Sequence, residues 1–504
     1  MSLGELLKET GRQGGFHFSY HSEVLPEDSL VTIAAQEASV RDLLDRLLPP
    51  ALEYLEAGSH VVIRFRRKPL EFILEDIVDQ GNSYLVSGMV RDPQNGRGLS
   101  DASVYERQLL LATLTDAQGR FRLRVRDRFQ TVALTASKAL YEDTTVFVQL
   151  RGIVVLPGKD PDWGAGSWFS AEGQDGEVER TRLGRFLVSS GQRIQSLNLR
   201  EFFTENPVQA SLTPGLSSQG RLSGQMINKV SMNLLGGYTA GVDGVELAGV
   251  FNINRKGVRH VQAAGALNLV GGSVRGVQAS GLHNLVFGSV NGVQAAAGFN
   301  VVKETMSGVQ VAGGVNYARH LKGVQVGVVN IADTSSGYSI GLVNVVRKNG
   351  YLKLHVFANE SFPANLAFKS GTSNIYAIIQ GGLRPGPEKL FGYGAGLGTR
   401  IQIKDRFLNT GETLFIQPEA VFQEIYQGDK AYNNHLYRLD LGFHYPLAGS
   451  LHLFAGPSLN VWNSKQPGPV EGYGFIPSDR RDSFSLPGGR LRGWIGWSVG
   501  VGVF

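Results

Sequence analysis

The chain has no cysteine among its 504 residues. This absence excludes disulfide bonds, thiolate metal sites and cysteine nucleophiles, and it leaves the cellular compartment open. The sequence also has no run of 18 apolar residues, so we expect no transmembrane helix. A membrane location remains open, because closed β-barrels also satisfy their backbone hydrogen bonds in lipid.

Signatures of catalysis and of metal binding are missing as well. The ten histidines show no His-Glu-x-x-His spacing, and no Gly-x-Ser-x-Gly nucleophile elbow appears, because the two matches to that spacing, at residues 337–341 and 496–500, lie in strand-like segments rather than at a strand-to-helix turn. Residues 392–398 are rich in glycine but lack the strand-to-helix context of a phosphate loop. The net charge of +5 is small and the basic residues are dispersed, which argues against nucleic-acid binding. We therefore expect no enzyme activity, no cofactor, no metal and no nucleic-acid partner.

Glycine is in excess, with 65 residues that concentrate after Gly215. Between residues 244 and 346, seven apolar segments that contain glycine each end in asparagine, and most copies begin with Gly-Val-Gln. The asparagines follow at intervals of 16 and then 14 residues: Asn252, Asn268, Asn284, Asn300, Asn316, Asn330 and Asn344. A fixed period of this kind decides the fold of a region.

Within each repeat, apolar residues alternate with small or amide-bearing residues. In an extended strand, Val261 and Leu267 share one face with small apolar residues, and Gln262 and Asn268 share the other. About 10 strand residues and a turn fill a 16-residue period, which is typical of transmembrane β-barrels. The pattern predicts that the repeats are barrel strands. A β-solenoid that stacks asparagines on successive coils is the alternative.

Later strands alternate apolar with charged residues, as in 437–445, and charges facing lipid would cost about 2–4 kcal/mol each. We expect the polar side chains to face the lumen. The candidate lumen-facing residues are Gln262, Gln278, Gln294, Gln310, Gln325, Lys353, His355, Arg400, Lys404, Glu419, Arg438, Asp440 and His444. The amides either line a selective pore or bond to one another across strands. The charged groups either bind an anionic solute or form ion pairs that stabilise the barrel.

Residues 1–68 predict a small α/β module. Leu3, Leu6 and Leu7 mark one helix, Ser39 is an N-cap for a second, and residues 61–63 form a closing strand. With residues 18–20 and 38–44, this order resembles the secretin and TonB short N-terminal domain, a periplasmic module. That family has a strand before the first helix, and no signal peptide precedes Ser2, so we expect a truncated start.

Residues 84–150 predict a β-sandwich, with turns at residues 92–96 and 115–119 between alternating strands. The spacing of Gly88, Asp92 and Gly96, followed by Thr115-Asp116 and Gly119, resembles the carboxypeptidase regulatory-like domain. The resemblance implies a transthyretin-like β-sandwich without peptidase chemistry. Residues 151–206 are irregular and charged, and we interpret them as a linker.

The predicted fold class is mainly β. A C-terminal transmembrane antiparallel β-barrel of about 14–18 strands, residues 207–504, follows the α/β module and the β-sandwich. This layout resembles outer-membrane β-barrel proteins of the Bacteroidota, and the Gly-Val-Gln…Asn repeats resemble a surface-repeat family of bacterial outer-membrane proteins. In TonB-dependent transporters of that lineage, a plug domain precedes the barrel, and the linker here is too short for one.

The resemblances imply a bacterial outer-membrane protein with its N-terminal modules in the periplasm. The expected partners are outer-membrane lipid and a periplasmic protein of the TonB or anti-sigma type. We expect the modules to dock or signal while the barrel acts as an anchor, a pore or an accessory for assembly or uptake. A plugless TonB-linked receptor or transporter and a surface β-solenoid adhesin are the alternative functions.

Overall fold

The computed structural model describes residues 2–20, 25, 28–31, 39–57, 59–126, 131–150, 154–158, 177–199, 202–403, 414–448, 451–476, 484–485 and 491–503. The chain divides into two compact units. One comprises residues 1–164 and 190–202, and the other comprises residues 165–189 and 203–504.

The first unit begins with a small α/β layer. Helix α1 (Leu3–Gly14) starts at a capping box, in which the Ser2 hydroxyl accepts from the N–H of Glu5 and the Glu5 carboxylate accepts from the N–H of Ser2. Strand β1 (His17–Ser19), helix α2 (Val40–Leu47) and strands β2 (Leu52–Ala57) and β3 (His60–Phe65) follow. The three strands form a sheet in the order β1-β3-β2.

Two β-sheets with a shared apolar core make up the rest of this unit. The strands are β4 (Glu71–Asp79), β5 (Ser83–Arg91), β6 (Ser103–Glu106), β7 (Leu111–Leu114), β8 (Arg120–Arg126), β9 (Thr131–Ser137), β10 (Thr144–Gln149) and β11 (Val154–Gly158). One sheet has the order β4-β5-β8 and the other has the order β11-β10-β9-β6-β7. Alternation in β8 buries Phe121, Leu123 and Val125 and exposes the arginines between them.

The expected linker is more regular than its sequence indicates. In place of an irregular chain, its described residues hold β11 and the helices α3 (Glu177–Arg180), α4 (Arg182–Leu187) and α5 (Ser190–Asn198). Helix α5 packs on the β-sandwich, because the Asn198 side chain donates to the carbonyl of Asp101 over 2.7 Å. Residues 159–176 lie outside the described residues.

The repeats form a parallel β-solenoid, so the prediction that they are antiparallel barrel strands is wrong. Val258–Ala264 and Leu267–Val270, separated by a bend, pair in parallel with Val274–Ser280 and His283–Val286 of the next coil. The pairing places Gln262 on Gln278 and Asn268 on Asn284. A 16-residue period therefore holds two short strands and two corners rather than one strand and one turn.

The solenoid has 17 strands and includes a 3-10 helix at Gly220–Gln225. Its strands are β12 (Thr204–Thr213), β13 (Leu216–Ser217), β14 (Met226–Asn233), β15 (Gly236–Thr239), β16 (Gly241–Ala248), β17 (Phe251–Asn254), β18 (Val258–Ala264), β19 (Leu267–Val270), β20 (Val274–Ser280), β21 (His283–Val286), β22 (Val290–Ala296), β23 (Phe299–Ala312), β24 (Val315–Leu321), β25 (Val324–Val326), β26 (Val329–Ser335), β27 (Tyr338–Ile340) and β28 (Val343–Val346).

An antiparallel β-barrel follows the solenoid, which confirms the mainly β class and the presence of a C-terminal barrel. Its strands are β29 (Tyr351–Asn359), β30 (Ala364–Gly371), β31 (Tyr376–Arg384), β32 (Leu390–Gly398), β33 (Ile401–Gln402), β34 (Phe415–Tyr426), β35 (Asn434–Ala448), β36 (Leu451–Ser464), β37 (Phe484–Ser485) and β38 (Leu491–Val503). The order is β29-β30-β31-β32-β34-β35-β36-β38, and β38 pairs with β29 to close the wall.

The barrel wall has eight strands, with β33 and β37 paired at its margins. The predicted 14–18 strands were wrong because that number included the repeats. The solenoid adjoins the barrel through its last coil, where the backbone N–H of Asn344 donates to the Ser370 hydroxyl over 3.0 Å.

Candidate functional site

The barrel wall is apolar outside and polar inside. Along β35, Leu439 and Phe443 are 57% and 45% exposed, whereas Arg438 and His444, on the opposite face, are 2% and 1% exposed. On β38, Trp497 is half exposed and Trp494 is buried. A soluble protein buries its large apolar residues, so this barrel has the reverse of a soluble distribution.

Two buried ion pairs lie inside the barrel. The Lys369 ammonium contacts the Glu419 carboxylate, which also accepts a 2.7 Å hydrogen bond from the Tyr376 hydroxyl. The Arg438 guanidinium lies 2.8 Å from the carboxylate of Asp440. A second carboxylate, that of Glu360, is 3.7 Å from the same guanidinium, close enough for charge attraction without a hydrogen bond. The buried charges of Lys369 and Arg438 therefore each have a counter-charge, as the low polarity of a protein interior requires.

A group of three histidines occupies another part of the interior. The Nε2 atoms of His355 and His452 are 3.3 Å apart, within hydrogen-bond distance. The ring of His444 lies 5.6 Å and 5.1 Å from these two rings, between centroids, and it stacks on Phe415 at 4.8 Å. Among the described residues, no set of three or more His, Asp or Glu side chains is placed to hold a metal ion.

Two further charged candidates, Lys353 and Arg400, lie in or near the barrel. Lys353, which is half-buried on β29, is directly opposite Lys369 on β30. The Arg400 guanidinium lies 4.0 Å above the ring of Phe415. Lys404 lies outside the described residues.

Sequence reasoning missed several interior groups. They are Glu360, Lys369, Tyr376, His452 and Trp494. His452 carries a signal that was available, because it is a polar residue between Leu451 and Leu453, which point outward. Glu360 has no such signal, since it follows the end of β29 and reaches the interior only through the fold of its loop.

The five candidate glutamines lie inside the solenoid and not inside the barrel. All five side chains are 0% exposed. Four of the five Nε2 atoms donate to the Oε1 of the preceding glutamine: Gln278 to Gln262 at 2.7 Å, Gln294 to Gln278 at 2.8 Å, Gln310 to Gln294 at 2.8 Å and Gln325 to Gln310 at 2.7 Å. We call this row the glutamine ladder. The side-chain amides of the ladder therefore hydrogen-bond to one another.

A carboxylic acid ends the glutamine ladder. Glu246 is in register with Gln262 and accepts from its Nε2 over 2.8 Å. Asn254 donates to the same oxygen over 2.9 Å. Complete burial raises the pKa of Glu246 to about 7, against the smaller opposing effect of these hydrogen bonds.

The asparagines form a second row, the asparagine ladder, from Asn252 to Asn344. Within it, Asn268 Nδ2 donates to Asn284 Oδ1 over 2.8 Å and to the Ala279 carbonyl over 2.7 Å. Asn284 repeats both bonds one coil later, with Asn300 Oδ1 and the Ala295 carbonyl. Each asparagine therefore joins two coils and also satisfies a backbone carbonyl beside the bend.

A buried ion pair closes the first coils. The Glu179 carboxylate on α3 lies 2.8 Å from Arg255 Nε and accepts a 2.7 Å hydrogen bond from the Tyr238 hydroxyl. Both charged side chains are at most 2% exposed. Val178 and Val188 pack with Tyr238 in the same cluster. The helical segment thus covers the outer face of these coils.

In the described part of the chain, no helix has both the length and the apolar character needed to cross a bilayer. Comparison with protein-family models, with curated proteins and with solved structures finds no match to this chain, so its function is inferred from its own geometry.

Proposed function

We propose that the protein resides in a bacterial outer membrane, where the barrel is a closed anchor for the β-solenoid and the two N-terminal modules. The observation that carries this proposal is the inside-out barrel wall, with Leu439 exposed and Arg438 buried on adjacent positions of β35. The apolar outer face is compatible with contact with lipid, and the charged side chains lie in the filled interior, away from that lipid.

The interior supports an anchor rather than a pore. An eight-stranded barrel is just wide enough for side chains to fill it. Here the interior holds Trp494, Arg438 and Tyr376, all at most 2% exposed, together with the three histidines. This filling also weighs against a plugless TonB-linked transporter, since a solute would have to displace buried ion pairs.

The anchored parts support a docking role without enzyme chemistry. The N-terminal modules resemble periplasmic modules, so a TonB-type or anti-sigma protein is their proposed partner. The surface adhesin is a second candidate, which the observed solenoid favours. Protease added to intact cells separates the two, because an adhesin would lose its solenoid from outside, whereas periplasmic modules would be protected.

The anchor is tested with site-directed spin labels. Because the chain contains no cysteine, a single introduced cysteine is the only site that a thiol-reactive label modifies. Leu439→Cys places a label on the outer barrel wall, and Ser336→Cys places one on an exposed polar residue of the solenoid. The protein is reconstituted in phosphatidylethanolamine and phosphatidylglycerol vesicles, and folding is checked by heat-modifiable gel migration. We expect the Leu439 label to be accessible to molecular oxygen and protected from a water-soluble nickel complex.

Equal access of the nickel complex to both labels in folded protein would overturn the membrane location. The closed interior is tested separately in planar bilayers. We expect the full-length protein to insert without conductance steps. Regular steps that scale with protein concentration would reject the closed anchor and favour a pore.

A further inference from the structure

The solenoid has two unlike edges. One edge consists of the bends between the two strands of each coil: Gly249–Val250, Gly265–Ala266, Gly281–Leu282, Ala297–Gly298, Gly313–Gly314, Gly327–Val328 and Gly341–Leu342. We call it the apolar edge. Val250, Leu282, Val328 and Leu342 on it are 41%, 54%, 48% and 51% exposed. Four of the seven bends thus carry an exposed aliphatic side chain, and the other three carry Ala or Gly at that position, which marks an interaction surface.

Charge is almost excluded from the apolar edge and from the strand residues beside it, and the one charged residue there, Glu246, is buried. Residues 261–269, 277–285, 293–301, 309–317, 324–331 and 338–345 contain no Asp, Glu, Lys or Arg, although 18% of the whole chain is charged. The one histidine among them is His283, and burial lowers its pKa, which favours the neutral ring. The outward rows of the adjoining strands are also apolar, with Val261, Val277, Val293 and Val309 about two-fifths exposed.

The charged residues collect at the opposite edge, which we call the polar corner. Basic residues outnumber acidic ones there: Arg259, Arg275, Lys303, Arg319, Lys322, Arg347 and Lys348 against Asp243, Glu304 and Asp333. Three ion pairs use the acidic groups, Arg259 with Asp243 at 3.8 Å, Arg319 with Glu304 at 3.1 Å and Arg347 with Asp333 at 3.0 Å. A basic excess on the edge opposite an apolar surface suits anionic lipid headgroups.

The backbone of the apolar edge needs no water. The N–H groups of Gly281, Leu282 and His283 donate to carbonyls of the preceding coil at 3.2, 2.9 and 3.0 Å. The Ala295 carbonyl beside the next bend accepts from the Asn284 side chain at 2.7 Å. A bend in lipid requires hydrogen bonds within the protein, because lipid acyl chains offer none. A bend exposed to water does not require them, because water can take their place.

An open groove lies on the same surface. It has a volume of about 900 Å³ and is lined mainly by small and aliphatic residues of the first coils, including Leu212, Met232, Leu234, Leu247 and Ala263. Its lining contains no charged residue. Such a groove fits a flexible hydrocarbon chain better than a polar ligand.

The apolar edge continues the barrel wall. The last coil bonds to β30, where the Asn344 N–H donates to Ser370. Ser370 follows the inward-facing Lys369, so it belongs to the outer side of the wall. Leu366 on the same side of β30 is 51% exposed.

We propose that the apolar edge of the solenoid inserts among lipid acyl chains beside the barrel, with the polar corner at the headgroups. The occupant of the edge is therefore lipid, and the solenoid is an interfacial element rather than a freely projecting one. This inference rests on the proposed membrane location of the barrel, but that location does not require it.

The experiment uses full-length single-cysteine variants in the same phosphatidylethanolamine and phosphatidylglycerol vesicles. Leu282→Cys and Val328→Cys report on the apolar edge, Asn291→Cys on an exposed corner position, and Leu439→Cys on the barrel. We expect the ratio of oxygen to nickel accessibility at residues 282 and 328 to be several-fold above that at 291 and close to that at 439.

The outcomes are distinguishable. If the barrel label is in lipid and both edge labels are as accessible to nickel as that at residue 291, the insertion of the solenoid is rejected and the anchor stands. If the barrel label is also in water, both proposals fail. Because two edge positions on different coils are labelled, the test still gives a result if one of these two variants does not fold.

Discussion

Gln278 Nε2 donates a 2.7 Å hydrogen bond to Gln262 Oε1, 16 residues earlier in the chain. Both side chains are fully buried, so the bond replaces water for each amide. Since Gln294 donates to Gln278 in turn, one residue serves as donor and as acceptor in a continuous row. The solenoid is thus held together by side chains as well as by its parallel strands.

Gln278→Leu is expected to destabilise the solenoid. The substitution removes the donor to Gln262 Oε1 and the acceptor of the hydrogen bond from Gln294 Nε2. Each buried polar group left without its partner costs about 1–3 kcal/mol. Hydrogen exchange of β18, β20 and β22 in the full-length protein measures the loss. Asn291→Leu, at an exposed position of the same region, is the control, and equal effects of the two changes would contradict the prediction.

Asn284→Asp is expected to open the coils around the bend at residues 281–282. A carboxylate cannot donate to Asn300 Oδ1 or to the Ala295 carbonyl, so it would face two acceptors in a buried position. Limited trypsin digestion should then cut at Arg275 and Lys303 faster than in the unchanged protein. Asn291→Asp makes the same chemical change on the surface and should leave the digestion rate unaltered.

Arg438→Met is expected to destabilise the barrel by about 3–5 kcal/mol, because it leaves the Asp440 carboxylate without its buried cation. The measurement is the urea concentration at which the folded band is lost in heat-modifiable gel migration. Arg492→Met, at an exposed position on β38, is the matched control. A shift no larger than that of the control would show that the pair is dispensable.

Glu246 is expected to make the stability of the first coils depend on pH. Its pKa is about 7 in the folded protein against 4.5 for the ordinary group, so folding favours the protonated acid. The contribution is fully present below pH 4.5, falls as the pH rises toward 7, and stays constant above that. Hydrogen exchange of β16–β18, corrected for intrinsic rates, measures this loss.

Glu246→Gln is the test variant for that effect. Glutamine continues the glutamine ladder without a titratable group, so the stability of these coils should become independent of pH between 4.5 and 7. If the unchanged protein and the variant show the same pH dependence, Glu246 is not its source.

The sequence determined the period and the two faces of the repeats. Alternation placed Gln262 and Asn268 on the same face, and the structure places both inside the coil. The reason is local within each short strand, because the direction of successive side chains along an extended chain depends on the backbone alone. The same alternation in 437–445 marked the apolar and polar sides of the barrel wall.

Only the tertiary structure decided where each bend falls, as at residues 265–266 between Gln262 and Asn268, and which strands pair. Alternation with period two is the same in parallel coils and in antiparallel hairpins, and the choice depends on where each bend sends the chain. The near-identity of successive periods was a usable signal, since parallel stacking in register puts Gln262 on Gln278, whereas a hairpin would pair unlike positions. The number of strands that close the barrel, and the meeting of Arg438 with Glu360, depend on contacts between residues far apart in the sequence, which no local pattern specifies.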